Sequence, residues 1–140
     1  MSEKNSARLT WEEGLRFRAT SGSGHTVVME SVAKPGHQGP SPMEMLLMGV
    51  AGCTAIDVVA ILKKMRERVT GVEVDVTGDR ADDHPKRFTA VHLTYTVTGT
   101  GLTEDKVRRA VDLSHTTYCS ASASLHAACA FHTTIVIREA

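Results

Sequence analysis

Two cysteines stand out among the three thiols of this 140-residue chain, because each closes a stretch of unusual composition. Cys53 lies deep in the apolar run that starts at Ser41-Pro-Met-Glu-Met and continues through Gly49-Val-Ala-Gly-Cys-Thr-Ala-Ile-Asp-Val-Val. Cys119 sits in Ser114-His-Thr-Thr-Tyr-Cys-Ser-Ala-Ser. A thiol among glycines and alanines in a helix can serve as a nucleophile, and a second thiol far along the chain can resolve what the first one forms. That pairing points to thiol redox chemistry, with peroxide as the first substrate to consider. The competing reading is packing, since free cysteine is among the most buried residue types and fills small gaps.

The neighbours of each thiol weigh on the choice. Gly49 and Gly52 each cost up to about 1 kcal/mol inside a helix, so they imply either room for a ligand or a tight helix crossing. Asp57 follows Cys53 by one turn on the same helix face. A carboxylate there opposes ionisation of the thiol, so a reactive Cys53 requires a cation from elsewhere in the fold. Arg8, Arg16, Arg18 and the histidines are the candidates, and the alternation Leu15-Arg-Phe-Arg puts Arg16 and Arg18 on one strand face, with Arg18 preferred. Cys119, before Ser120-Ala-Ser-Ala-Ser, is expected to be a half-exposed thiol able to move. Cys129, in Ala127-Ala-Cys-Ala, reads as a core filler. His115, His126 and His132 lie near Cys119 and Cys129, but no CxxC or HxxxH spacing marks a metal site, so no metal and no cofactor are expected. Glu44 is a candidate acid-base or orienting carboxylate, and a capping role accounts for it equally well.

These residues need elements to hold them. Ala7-Arg-Leu-Thr-Trp-Glu, Leu15-Arg-Phe-Arg-Ala and His25-Thr-Val-Val-Met-Glu read as three strands, with Ser21-Gly-Ser-Gly as a turn and a loop from Lys34 to Pro40. Ser41 as N-cap, Pro42 at the first helical position and Glu44 in a capping box open a long helix to about Leu62. It is apolar on almost every face, so it must be buried all round. One chain of this size has few elements to surround it, which favours a homodimer. The stretches Val72–Gly78 and Thr89–Gly99 alternate with period two. Thr103-Glu-Asp caps a second helix to about Thr117, a short segment follows Cys119 as far as Ala130, and Thr133–Arg138 is a last strand. The pattern is α+β in a single domain, 1–140, with antiparallel sheets and helices against one face.

Composition narrows the partners. The formal net charge is +0 and aromatics are 4% of the chain, which argues against nucleic acid. Glu44 and Asp57 interrupt the apolar run, so a buried helix is expected and not a membrane span. The first residues lack the apolar core of a signal peptide, and an odd cysteine count suits a reducing compartment, so the cytoplasm is the expected location.

The two cysteine segments resemble the OsmC/Ohr family of hydroperoxide reductases over most of the chain. The carriers are Pro42…Leu46…Gly49-x-x-x-Cys53 and Cys119-Ser-x-Ser at the head of a helix. The wording around Ser41-Pro-Met-Glu-Met and Ala55-Ile-Asp-Val-Val looks most like the YhfA-like branch. The resemblance implies an OsmC-like fold and an intertwined homodimer around the central helices. It implies that Cys53 is the peroxidatic thiol, that Cys119 condenses with it to a disulfide, and that an external dithiol restores both. The substrates would be organic hydroperoxides, in defence against oxidative stress. In the family's active members a glutamate directly follows the helix proline; here Met43 holds that place and Glu44 comes next. Ser120 stands where proline is usual after the second cysteine. These departures keep an alternative in view: an OsmC-fold protein that binds small molecules or senses redox state with weak turnover.

Overall fold

The computed structural model describes residues 4–33 and 35–140; the expectations for Met1–Glu3 and for Lys34 in the loop lie outside the described residues. The chain forms two compact units, one up to Leu46 and one from Leu47 to Ala140.

The first unit is a three-stranded antiparallel sheet, β1 (Ala7–Glu13), β2 (Arg16–Ser21) and β3 (Thr26–Glu30), in that order. Leu9 pairs with Ala19, Trp11 with Phe17, and Phe17 with Met29. Residues directly opposite one another share a face, so Leu9, Trp11, Phe17, Ala19, Val27 and Met29 make one apolar face. Arg16 and Arg18 lie on the other, as the alternation predicts. Of the apolar face only Ala19 is buried, whereas Leu9 is 51% exposed and Trp11 64%.

The helix α1 (Pro42–Lys64) opens as expected: Ser41 N–H donates to Glu44 Oε1 at 2.9 Å and Glu44 N–H donates to Ser41 Oγ at 3.1 Å. Its burial is narrower than the sequence suggests. Within one chain the buried residues are Val50, Thr54, Val58 and Leu62, a stripe at intervals of four, while Ile56 is 71% exposed. The chain's other elements cover one helix face, and composition alone cannot say how many faces find cover.

The second unit adds β4 (Arg68–Arg80), β5 (Phe88–Thr100), α2 (Glu104–Leu113), α3 (Ser120–Leu125) and β6 (Ala130–Glu139). The sheet order is β4-β5-β6, with β5 central. Strand β4 runs antiparallel to β5, but β6 runs parallel to it, so this sheet is mixed and departs from the expected all-antiparallel pairing. The reason is the connection: two helices intervene between β5 and β6, which allows a crossover that a hairpin does not. Val91, Leu93, Tyr95 and Val97 alternate along β5 and are fully buried, as are Val107 and Val111 of α2. Thr54 of α1 bonds Tyr95, so the stripe of α1 lies over this core face.

Helix α2 ends earlier than its sequence pattern implies. Residues Ser114–Tyr118 form a π-helical turn, closed by Cys119 N–H donating to Ser114 C=O at 2.7 Å. One added residue per turn rotates the side chains beyond it about the helix axis, and such turns recur at functional sites.

Candidate functional site

The two thiols meet in the second unit. The Sγ atoms of Cys53 and Cys119 and a carboxylate oxygen of Asp57 all lie within 4.8 Å of one another. Helix α1 supplies Cys53 and Asp57 one turn apart, and the N-cap of α3 supplies Cys119. All three cysteines are free thiols. The same three groups, two thiols and a carboxylate, are close enough together to hold a thiophilic metal ion, with Ser114 bonded to the carboxylate from behind. Among the described residues, this group holds neither Cys129 nor any of the histidines His115, His126 and His132. His132 instead stacks on His92, with ring centroids 4.9 Å apart.

Cys53 is partly exposed, and Cys119 is only 3% exposed. The half-exposed Cys119 expected from its polar sequence is therefore corrected. The serines after it turn into α3, and Ser122 covers the sulfur. Burial pushes the Cys119 thiol above its ordinary range; the Ser122 hydroxyl and N–H oppose this, and Cys53 adds to it. Ser122 Oγ donates to Cys119 Sγ at 3.0 Å and Ser122 N–H donates to it at 3.4 Å. Cys129 stands apart, its Sγ against the Ala130 carbonyl, with its pKa raised by burial.

Asp57 does not have the cation that a reactive Cys53 was expected to require. Among the described residues its partner is the Ser114 hydroxyl, which donates to Oδ2 at 2.9 Å. Ser114 is fully buried and also contacts Thr54 Oγ1 at 2.8 Å. Thr54 Oγ1 lies 2.8 Å from Tyr95 Oη, and Tyr95 Oη lies 2.6 Å from His115 Nε2. His115 Nδ1 in turn lies 3.3 Å from Ser122 Oγ. Burial pushes the Tyr95 hydroxyl up to about 12. It pushes His115 down, against the pull of Asp112 and Asp57. Sequence reasoning gave no role to Thr54, Tyr95 or Ser114, quoted Ser122 only as part of the Cys119-Ser-x-Ser motif, and weighed His115 as a candidate cation near Cys53 without linking it to Tyr95. Their partners are up to 60 positions apart, and no local spacing announces them.

The remaining candidates lie in the first unit. Arg16 pairs with Glu13 at 2.7 Å and Glu12 at 3.5 Å, and Arg18 with Glu12 at 3.0 Å. Glu44 is held by its capping box. Gly49 and Gly52 border open space, since a Cβ on either meets nothing within 4 Å; this chain contains no tight crossing there.

A family profile described as OsmC-like protein matches residues 35–134. Protein YhfA of Escherichia coli K12 is 47% identical over 122 residues, which cover 87% of this chain and 90% of that protein. Among solved structures, an OsmC-like protein from Mycoplasma pneumoniae superimposes with a TM-score of 0.87 at 16% identity, covering 99% of each chain. The organic hydroperoxide resistance protein OsmC of Legionella pneumophila superimposes with a TM-score of 0.71 at 15% identity, covering 96% of this chain and 97% of that one. Profile, close relative and fold agree with the cysteine segments read from the sequence: the chain belongs to the OsmC-like family.

Proposed function

We propose that this protein is a thiol-dependent peroxide reductase acting on organic hydroperoxides. The observation that carries this reading is the approach of the Cys53 and Cys119 sulfurs within 4.8 Å, the more accessible thiol being the one on the central helix. The Cys53 thiolate attacks the terminal peroxide oxygen; the O–O bond breaks, the alkoxide takes a proton and leaves as an alcohol, and Cys53 becomes a sulfenic acid. Cys119 then attacks that sulfur, its thiol proton leaves with the hydroxyl as water, and a disulfide forms. An external dithiol reduces it and is itself oxidised. An exposed groove along α1, lined by Ala55, Ile56, Val59, Ala60, Lys63 and Val72, is apolar apart from the lysine and belongs to the helix surface that a second copy would cover.

The working form is a homodimer in the cytoplasm. Helix α1 has the length and apolarity of a membrane span, and we read its uncovered faces as the seat of a second copy. Neither nucleic acid nor membrane is a proposed partner. Arg18, with Arg16 as the second choice, is the proposed cation that activates Cys53, and Glu44 the proposed orienting carboxylate. A weaker reading, a redox sensor or small-molecule binder of the same fold, draws on Met43, which stands where the family's active members carry a glutamate.

Intact-mass measurement after one equivalent of cumene hydroperoxide separates the two. The peroxidase loses two mass units within seconds, and peptide mapping finds Cys53 joined to Cys119 with Cys129 free. With excess hydroperoxide, Cys119→Ser leaves Cys53 overoxidised to the sulfinic acid, and Arg18→Met slows the first step at pH 7. Disulfide through Cys129, or peroxide consumption by Cys53→Ser, would refute the assignment. An Arg18→Met time course matching the wild type removes the arginine from it.

A further inference from the structure

The hydroxyls around the thiols form one unbroken chain, and counting its hydrogens shows what it can carry. Six contacts run from Cys119 through Ser122, His115, Tyr95, Thr54 and Ser114 to Asp57. Each hydroxyl owns a single hydrogen, and Asp57 as a carboxylate only accepts. Ser114 therefore donates to Asp57, Thr54 to Ser114, and Tyr95 to Thr54. His115 must then donate its Nε2–H to Tyr95. A neutral imidazole so oriented leaves Nδ1 as an acceptor for Ser122, and the Cys119 S–H is the donor to Ser122. Moving one proton from the sulfur to Nδ1 reverses the last two bonds. Ser122 then donates to a thiolate across the 3.0 Å contact, and an imidazolium donates to Ser122.

We propose that Ser122 and His115 take the proton from Cys119 when that thiol attacks the oxidised Cys53, while Tyr95, Thr54 and Ser114 hold the imidazole in the accepting tautomer. Ser122 touches the reacting sulfur; His115 acts through it as a positioning and relay residue. Ser114, at the end of α2, meets Asp57, and His115, the next residue, meets Tyr95, before the π-helical turn closes on Cys119. Burial keeps Cys119 protonated at rest, so its attack needs a local acceptor. Among the described residues, the ionisable groups that act on His115 are Tyr95 from β5, Asp112 from α2 and Asp57 from α1, with Cys119 reached through Ser122; from β6 the ring of Phe131 lies against it. The proton does not stay: it joins the hydroxyl leaving Cys53 as water, so His115 ends neutral.

This inference rests on the pairing of Cys53 with Cys119, and its test needs no peroxide. In a Cys129→Ala background, the aromatic disulfide DTNB caps Cys53 and releases one thionitrobenzoate. Attack by Cys119 on the capped sulfur forms the protein disulfide and releases a second, with loss of one proton. The expected result is that His115→Gln leaves the first release unchanged and slows the second by about 100-fold at pH 7. The deficit should close toward pH 10, where hydroxide removes the proton. Ser122→Ala, which keeps the imidazole and the backbone donor, should show the same pH-dependent deficit. Second-release rates and pH profiles like the wild type in both variants overturn the proposal. So does an equal slowing of both releases at every pH, which marks a purely structural role. Wild-type protein that releases both thionitrobenzoates yet consumes no cumene hydroperoxide sinks the peroxidase reading and leaves the relay standing.

Discussion

The sheet of the first unit and the sheet of the second are built from similar strands and meet opposite fates. Strand β5 buries Val91, Leu93, Tyr95 and Val97 under helices of its own chain. The sheet β1-β2-β3 presents an equally apolar face, yet leaves Leu9, Trp11, Phe17 and Val27 exposed, with only Ala19 buried. Burial stabilises by roughly 25 cal/mol per Å² of apolar surface, so the second unit holds its own core while the first leaves most of its apolar face uncovered within the chain. An exposed apolar face of this extent marks an interaction surface. The two neighbouring thiols and the buried hydroxyls lie in the unit that holds its own core.

That contrast can be broken most severely from the first unit. Trp11→Lys places a charge in the uncovered face and should convert the proposed dimer, whose interface we expect to exceed about 2,000 Å², into monomer. Sedimentation at micromolar concentration reads the change, and thermal midpoints should lose their dependence on concentration. A wild type that sediments as a compact monomer defeats the idea of cover from a second copy. In the second unit Leu62→Ala should cost about 3 kcal/mol through the cavity it leaves, read as a shift in the urea midpoint without a change of assembly. If it dissociates the protein instead, the two regions are not independent in the way their burial suggests.

The finest probe of the buried region is alkaline pH. Tyr95 keeps its proton to about pH 12 in the folded protein, whereas an unfolded tyrosine loses it near ~10. Its contribution is therefore fully present below about pH 10 and is lost as pH rises toward 12, by at most about 1.4 kcal/mol per unit. Tyr95→Phe should flatten that part of the stability curve. An unchanged alkaline slope would place Tyr95 in contact with solvent, contrary to its full burial.

Much of this protein is legible along the chain because the signals are local. The capping box at Ser41 and Glu44, the period-two strands and the acidic start of α2 depend on neighbours within a few residues, and all appear in the structure. The two cysteine segments alone identified the family. Features that lie across the fold did not show. The parallel pairing of β6, the early end of α2 in a π-helical turn and the single buried stripe of α1 depend on which elements pack together. Residue types announced two thiols; their approach to within 4.8 Å, and the chain of hydroxyls from Cys119 to Asp57, join residues up to 66 positions apart and exist only once helix, sheet and cap have docked. A hydrogen bond needs distance and angle, and those are set by tertiary packing, whereas a cap or a strand period needs only sequence neighbours.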